Sequence, residues 1–233
     1  MKIVILGPYN SGKSTTVQKI CSGSAISIDY GGTTVALDHC KSNIYGVEVF
    51  LFGTPGLQRF EIIRKILSKG ADGILFVIDS VNIASFEEAK KLLAEIDEIL
   101  PGTPIVVCAN KQDILGAKKP DEVSSIVLGT RSESISVLGT SAKTGHNMER
   151  ALGLIVLNAI KSYYPILSAV KKSSGNLEDI LKLTELSETE ITSQLQFASW
   201  RRLILADWDK KRYYLAKGVS NILDILEFGH KQI

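Results

Sequence analysis

KIVILGPYNSGKSTTVQKIC, Lys2 to Cys21, decides the fold. KIVILG is an apolar run of strand length ending in glycine, and GKSTTVQKIC reads as a helix. Between them GPYNSGKS, Gly7 to Ser14, fits the pattern G-x-x-x-x-G-K-[ST] in the strand–loop–helix setting that the pattern needs. Glycines let successive backbone N–H groups turn inward around phosphate oxygens, and the helix N-terminus adds its positive end. In such a loop Gly7, Asn10, Ser11, Gly12, Lys13, Ser14 and Thr15 are the candidate phosphate contacts. Lys13 is expected to reach the β- and γ-phosphates, and the Ser14 hydroxyl to ligate Mg²⁺. The loop by itself does not choose between ATP and GTP.

Outward from that stretch, strand-like runs recur at VALDHC, VEVFLF, GILFVID, PIVVCAN and SISVLG. Helical periodicity lies between most of them, at LQRFEIIRKILSKG, SFEEAKKLLAEIDEIL and MERALGLIVLNAIKSYY. This alternation predicts an α/β fold with a mostly parallel sheet covered on both faces. Only a short turn around Asn43 to Gly46 joins VALDHC to VEVFLF, so that pair is expected as a hairpin, giving one antiparallel strand. The rhythm stops near Pro165, which predicts two domains, residues 1–164 and 165–233. In the second, KKSSGN reads as a loop, NLEDILKLTEL and SETEITSQLQFASW as helices, and RRLILAD and RYYLAKG as strands around a tight polar turn.

Composition narrows the class. Of 233 residues 45% are hydrophobic and 22% charged, ordinary values for a globular protein, and a net charge of +2 does not argue for nucleic acid or membrane. Cys21, Cys40 and Cys108 form no CxxC pair and leave an odd thiol, which suits a reducing cytoplasm and argues against a disulfide framework or a zinc site. The stretches GILFVI and ALGLIVLNAI fall short of the ~20 residues of a membrane span. No signal peptide, myristoylation glycine or prenylation box is visible. The expectation is a cytoplasmic protein with no integral membrane contact.

The base is read elsewhere. NKQD, Asn110 to Asp113, follows the strand PIVVCA, and an aspartate there can accept hydrogen bonds from the N1 and N2 donors of guanine. Adenine lacks that pair and would leave a buried carboxylate unpaired, the kind of loss that gives strong discrimination. The aliphatic stem of Lys111 can cover the base, and Asn110 can tie two loops together. TSAK, Thr140 to Lys143, follows SISVLG; Ser141, Ala142 and Lys143 can close over the same base, with the Ala142 amide aimed at O6. Together GPYNSGKS, TPG, NKQD and SAK, in that order over Met1 to Tyr164, resemble the Ras-like small GTPases, and among them the prokaryotic Ras-like GTPases. The resemblance implies a P-loop GTPase domain that binds GTP and GDP with Mg²⁺. It also implies slow hydrolysis as a molecular switch, two switch segments around the γ-phosphate, and a protein effector or regulator.

Against that resemblance the γ-phosphate side departs. DYGGTTVALD supplies Thr33 and Thr34; Thr34 is the preferred switch threonine, its hydroxyl on Mg²⁺ and its N–H on the γ-phosphate. Gly53-Thr54-Pro55-Gly56 stands where the family carries D-x-x-G. Gly56 keeps the amide that meets the γ-phosphate, but Gly53 has no carboxylate to hold Mg²⁺ through water. A hairpin whose paired residue numbers sum to about 89 would set Asp38 opposite Leu51, so Asp38 is a candidate replacement. Leu57 stands where many relatives carry a water-positioning glutamine, which leaves Gln58 as the candidate for that role beside Lys13 and Thr34. Tyr9 replaces a small glycine and would crowd an arginine finger, a contribution worth ~10³–10⁵ in rate. Slow turnover is therefore expected. The alternative is a GTP-gated binding module or DNA-binding regulator with negligible hydrolysis.

Leu177 to Ala216 resembles a winged helix, so the second domain is expected as a small α+β unit. Ser187 and Glu190 form a capping box ahead of its second helix, and Ile191, Leu195 and Ala198 line one face as core. Trp200, Trp208, Tyr213 and Tyr214 are expected to pack the small module. A winged helix lays its second helix in the DNA major groove. Here, however, ten Lys/Arg stand against nine Asp/Glu from Ile166 to Ile233, and that helix has no basic residue before Arg201. Phosphate contacts dominate nucleic-acid affinity, so a protein-interaction or intramolecular role is favoured, with DNA through residues 177–216 as the alternative.

Overall fold

A computed structural model of the chain describes residues 1–21, 29–30, 33–34, 39–54 and 68–228. By internal contacts the chain divides into two units. One holds Lys2–Ser42 and Val49–Ile155, the other Met1, Asn43–Glu48 and Val156–Ile233.

The first unit is built on a sheet of strands β1 (Lys2–Leu6), β4 (His39–Ile44), β5 (Val47–Gly53), β6 (Gly73–Asp79), β7 (Ile105–Asn110) and β8 (Ser136–Gly139). Their order is β4-β5-β1-β6-β7-β8. β1 runs parallel to both β5 and β6, and β6–β7 and β7–β8 are also parallel. The antiparallel strand is β4, as expected. Every residue of β6 and β7 is buried, because helices and turns cover both faces, whereas β5 alternates strictly between buried and half-buried positions. Helix α1 (Lys13–Ile20) follows β1, and α2 (Phe86–Ile99) follows β6, turning Phe86, Ala89 and Leu93 onto Val4, Phe76, Ile78 and Val107. A short helix α3 (Pro120–Val123) and further single turns lead to β8. Two-residue strands β2 (Asp29–Tyr30) and β3 (Thr33–Thr34) pair with each other.

Because β1 lies between strands that are reached in opposite directions, a crevice opens at the carboxyl ends of β1, β6 and β7. The loops bearing GPYNSGKS and NKQD start there.

Two sequence expectations, on the β4–β5 hairpin and on the cysteines, are corrected. The hairpin turns through Tyr45 and Gly46 alone, with φ of 52° and 88°, a two-residue turn of the kind whose twist matches paired strands. His39 then lies level with Phe52, their rings 6.2 Å apart and nearly parallel. That register sets Cys40, not Asp38, against Leu51, and Asp38 lies outside the described residues. The cysteines are also not all free: Cys21 and Cys40 form a disulfide with Cα atoms 6.1 Å apart, both 6% exposed or less. The end of α1 and the start of β4 meet in the core, a contact that residue spacing does not reveal. Cysteine usage therefore no longer argues for a reducing compartment. Cys108 is free and buried, and that burial pushes its thiol up to about 12 despite the Thr140 hydroxyl beside it.

The second unit is mainly helical. The helix α4 (Met148–Lys161) ends in it, and α5 (Tyr164–Lys172), α6 (Leu177–Lys182), α7 (Glu188–Trp200), β9 (Ile204–Asp207), β10 (Arg212–Leu215) and α8 (Val219–Phe228) follow. The periodicity of MERALGLIVLNAIKSYY predicts one helix through Tyr164, whereas the helix ends at Lys161 and α5 begins at Tyr164. Pro165 sits in the first turn of α5, where its missing N–H costs nothing, and so starts a new helix. α8 lies outside the helices expected from the sequence. α7 carries the expected capping box: the Glu190 carboxylate accepts the Ser187 N–H at 2.9 Å, and the Ser187 hydroxyl accepts from the Glu190 N–H. Ile191, Leu195 and Ala198 are fully buried, as expected. β9 and β10 form an antiparallel hairpin, and the Tyr213 N–H donates to the Gly175 carbonyl at 2.8 Å on the other edge. The aromatic expectation is corrected: Tyr213 is buried, but Trp200, Trp208 and Tyr214 are 66%, 43% and 53% exposed. No single helix among the described residues is long and apolar enough to cross a membrane.

Candidate nucleotide-binding site

The loop after β1 is shaped by its backbone. Gly7, Asn10 and Gly12 have φ of 147°, 59° and 98°, the left-handed side that lets consecutive N–H groups turn to one side. A Cβ on Gly7 would collide with the Val77 carbonyl, and one on Gly12 with the Asn110 amide, so both positions require the close approach glycine permits. Lys13 is 8% exposed, and its ammonium donates to the Pro8 carbonyl at 2.6 Å, which keeps the charge inside the loop. Ser11 is fully buried, and its hydroxyl has no partner among the described residues. Burying a hydroxyl unpaired costs roughly 1–3 kcal/mol, so the loop is short of one bond that a phosphate oxygen can supply. Ser14 is half-buried and Thr15 exposed. Tyr9 stands at the rim, 61% exposed.

Asn110 closes β7 and is 2% exposed. Its side-chain N–H donates to the Ser11 carbonyl and its side-chain oxygen accepts the Ala142 N–H, both at 2.9 Å. One buried amide thus ties the phosphate loop to the TSAK loop, as the sequence reading expected. Asp113 accepts a hydrogen bond from the Ser141 hydroxyl at 2.7 Å, which, ahead of nearby Lys143 and Lys111, holds its carboxyl below the usual aspartate range. The Ser141 oxygen also accepts the Thr144 N–H at 3.1 Å, fixing the hydroxyl's direction. Gly12, Thr15, Asn110, Lys111, Asp113, Ile114, Ala142 and Lys143 line one open cleft of about 200 Å³.

Lys111 has a partner that the sequence reading did not single out. Its backbone is left-handed (φ 67°), and its ammonium donates to Asp79 at 2.6 Å. Asp79, in register with Asn110 across β6 and β7, is 5% exposed and also accepts the Val81 N–H at 2.9 Å and the Asn82 N–H at 3.3 Å. The signal was present: a carboxylate ending an otherwise apolar parallel strand lies at the crevice.

On the other flank, Gly53 ends β5 in register with Ile5. The Thr54 N–H and hydroxyl both donate to the Ile5 carbonyl at 3.1 Å. The β5 end is therefore pinned beside the phosphate loop with no side chain at Gly53. Thr34 is placed on β3 opposite Asp29. Gly56, Leu57 and Gln58, like Asp38, lie outside the described residues. Among the described residues no three His, Cys, Asp or Glu side chains gather as a metal site. That composition still fits Mg²⁺, which keeps several waters and takes most protein-side ligation from few groups plus substrate phosphates.

Residues 2–161 match the Ras family. The chain belongs to the Ras family. Ras-family proteins are GTP hydrolases, and this one is a small GTPase of that superfamily. The Ras-family chain is similar to ADP-ribosylation factor-like protein 2 of Arabidopsis thaliana, 28% identical over 173 residues, covering 70% of this chain and 90% of the relative. It is 29% identical to Ras-related protein RABF2a of the same plant over 158 residues, 64% of this chain and 75% of the relative. It is also 32% identical to human Ras-related protein Rab-40A-like over 118 residues, but spans only 41% of that relative's length. These matches speak for the nucleotide-binding part of the Ras-family chain.

Proposed function

We propose that this chain is a guanine-nucleotide switch that binds GTP and GDP with Mg²⁺ and hydrolyses GTP slowly. Its nucleotide state is read by a C-terminal winged-helix-like module, residues 165–233, joined to a GTPase domain of residues 1–164. The observation that carries this reading is Asn110. Its buried amide joins Ser11 to Ala142, so the phosphate loop and the base loops form one site. Asp113 then meets the N1 and N2 donors of guanine, and the stem of Lys111 lies along the base while Asp79 holds its ammonium aside; the Ala142 N–H, expected on O6, is held by Asn110 instead.

The phosphates are bound by the N–H groups from Asn10 to Thr15 and by Lys13, whose charge lies inside the loop. Ser11 supports this reading through a buried hydroxyl that has no partner among the described residues. Mg²⁺, when bound, neutralises charge on the β- and γ-phosphate oxygens; Ser14 and Thr34 are the residues proposed to hold it. Gly53 itself has no carboxylate and Leu57 follows Gly56, which supports slow turnover, and Tyr9 at the rim narrows the approach of a partner's arginine. The same observations favour a second reading, a GTP-gated binding module with negligible hydrolysis. A protein effector fits the C-terminal module better than DNA, because the outward face of α7 carries no basic residue. A cytoplasmic setting is proposed from the nucleotide supply that such a switch needs.

Chromatography of nucleotide released from the purified protein tests the base reading: guanine nucleotides alone are expected, and co-purifying ATP would overturn it. Single-turnover hydrolysis with Mg²⁺ separates the two readings. A rate on the order of 10⁻³ s⁻¹ or below is expected for the slow switch, and no product over many hours for the binding module.

A further inference from the structure

α7 presents two faces. Ile191, Leu195 and Ala198 are fully buried, whereas Thr189, Ser193, Gln196 and Trp200 are all exposed. These four follow one another at steps of four, three and four residues and so share one face of the helix, with Glu188, Glu190 and Phe197 exposed beside them. Phe197 widens it, 46% exposed and packed edge-on against Trp200 with ring centres 5.5 Å apart. Small hydroxyl residues thus occupy one end of this face and two large aromatics the other.

Charge is segregated the same way. Glu188 and Glu190 lie in the first turn, and the next charged residues are Arg201 and Arg202, just past the last turn. The Glu188 and Arg202 side chains remain 60% and 64% exposed although each has an ion-pair partner. Arg201 also stacks over the Phe197 ring at 5.8 Å, beside the aromatic end of the face.

We propose that α7 pairs antiparallel with α7 of a second copy of this chain. Setting Thr189 opposite the partner's Trp200 brings Ser193 opposite the partner's Gln196 and Glu188 opposite the partner's Arg201. Large side chains then meet small ones, acidic ends meet basic ends, and the helix dipoles oppose. Parallel pairing fails on each count, stacking Trp200 on Trp200 and Glu188 on Glu188. A duplex of nucleic acid is disfavoured by the same carboxylates at the leading end of the helix. The seam of one helix ~20 Å long is smaller than a standard stable interface, so the dimer is weak, with a dissociation constant on the order of tens of micromolar.

Sedimentation equilibrium of the full chain over about 5–200 µM tests this, a range chosen to bracket that affinity. The average mass is expected to climb from 25.4 kDa towards twice that value. Trp200→Glu, at an exposed position, is expected to weaken association at least ~30-fold with an unchanged melting temperature. Glu188→Arg is expected to weaken it less. Orientation is read by disulfide trapping: a mixture of Ser193→Cys and Gln196→Cys chains should cross-link to each other faster than either does to itself. Cys108 does not compete, being buried with its thiol pushed up to about 12. A monomer at every concentration, association untouched by Trp200→Glu, or preferential like-with-like cross-links would each overturn the proposal. So would capture of a labelled DNA duplex by the wild type that Trp200→Glu abolishes.

Discussion

The base pocket and the γ-phosphate flank are built from the same sheet, a few residues past the ends of neighbouring strands, yet they are equipped differently. Around the base, three polar side chains are each fixed by a hydrogen bond: Asn110 spans two loops through backbone groups, Ser141 orients Asp113, and Asp79 holds Lys111. On the flank, Gly53 contributes backbone only, and Thr54 spends its hydroxyl on the Ile5 carbonyl. Affinity and chemistry are therefore expected to be separable, because binding needs the pocket as a unit while Gly53 brings no carboxylate to the flank. That contrast can be attacked from either end.

The largest effect is expected at Asp113. Asp113→Ala removes the acceptor for two guanine donors and should weaken GDP binding by ~10²–10⁴-fold, measured by titration calorimetry or a fluorescent analogue. Loss of guanine preference without loss of phosphate binding would sharpen the contrast. Next comes the disulfide. Cys21 and Cys40 are nineteen residues apart and bracket Thr33 and Thr34, so the bond ties down the flank and not the base pocket. Cys21→Ser, or reduction, should cost roughly 3 kcal/mol in urea unfolding. If it loosened guanine discrimination as much as stability, the two regions would not be independent.

Asp79→Asn is subtler, because it keeps an oxygen for the Val81 and Asn82 N–H groups while removing the charge that faces Lys111. GDP release should speed up by about tenfold, a modest factor since Lys111 is partly exposed and screened. Lys111→Met retains the hydrocarbon stem. In that background Asp79→Asn should add almost nothing; additivity would mean that Asp79 acts through its turn instead. On the flank, Gly53→Asp supplies the missing carboxylate and should raise single-turnover hydrolysis several-fold, by up to about tenfold, without tightening GDP binding. Unchanged turnover would move the limit to Leu57 or to the rim at Tyr9.

How much of this was legible follows the range of the interactions. The phosphate loop and the NKQD and TSAK tetrapeptides are local patterns at strand ends, and the sequence order of strands and helices exposes them directly. Asp79 was missed because its role depends on β6 lying beside β7. The Cys21–Cys40 bond was missed for the same reason, since it joins a helix end to a strand start across a segment whose path spacing cannot give. The hairpin register slipped because Tyr45 adopts a positive φ that its residue type does not advertise, so the turn looked longer than two residues. In the second unit the buried face of α7 was readable from periodicity, but the fate of its aromatics was not. Trp200, at the end of α7, is 66% exposed and Tyr213, on β10, is 2% exposed, a difference that residue type does not carry.

The smallest effect separates the two regions by pH. In the base pocket the Ser141 hydroxyl stabilises the charged form of Asp113 and lowers its pKa. Guanine recognition needs that carboxylate ionised, so binding is retained down through the ordinary aspartate range and lost only as pH falls through the lowered value. Ser141→Ala removes the main cause of the shift. The Asp113 pKa then rises, and the acid limb of GDP binding should move to higher pH while affinity near neutrality changes little. Nucleotide association followed by stopped flow across the acid range reads this directly. The flank has no such group at Gly53, so the acid limb of hydrolysis, corrected for occupancy, should stay where it was. If Ser141→Ala shifts both limbs together, the carboxylate of Asp113 governs more than the base, and the separation of pocket from flank fails.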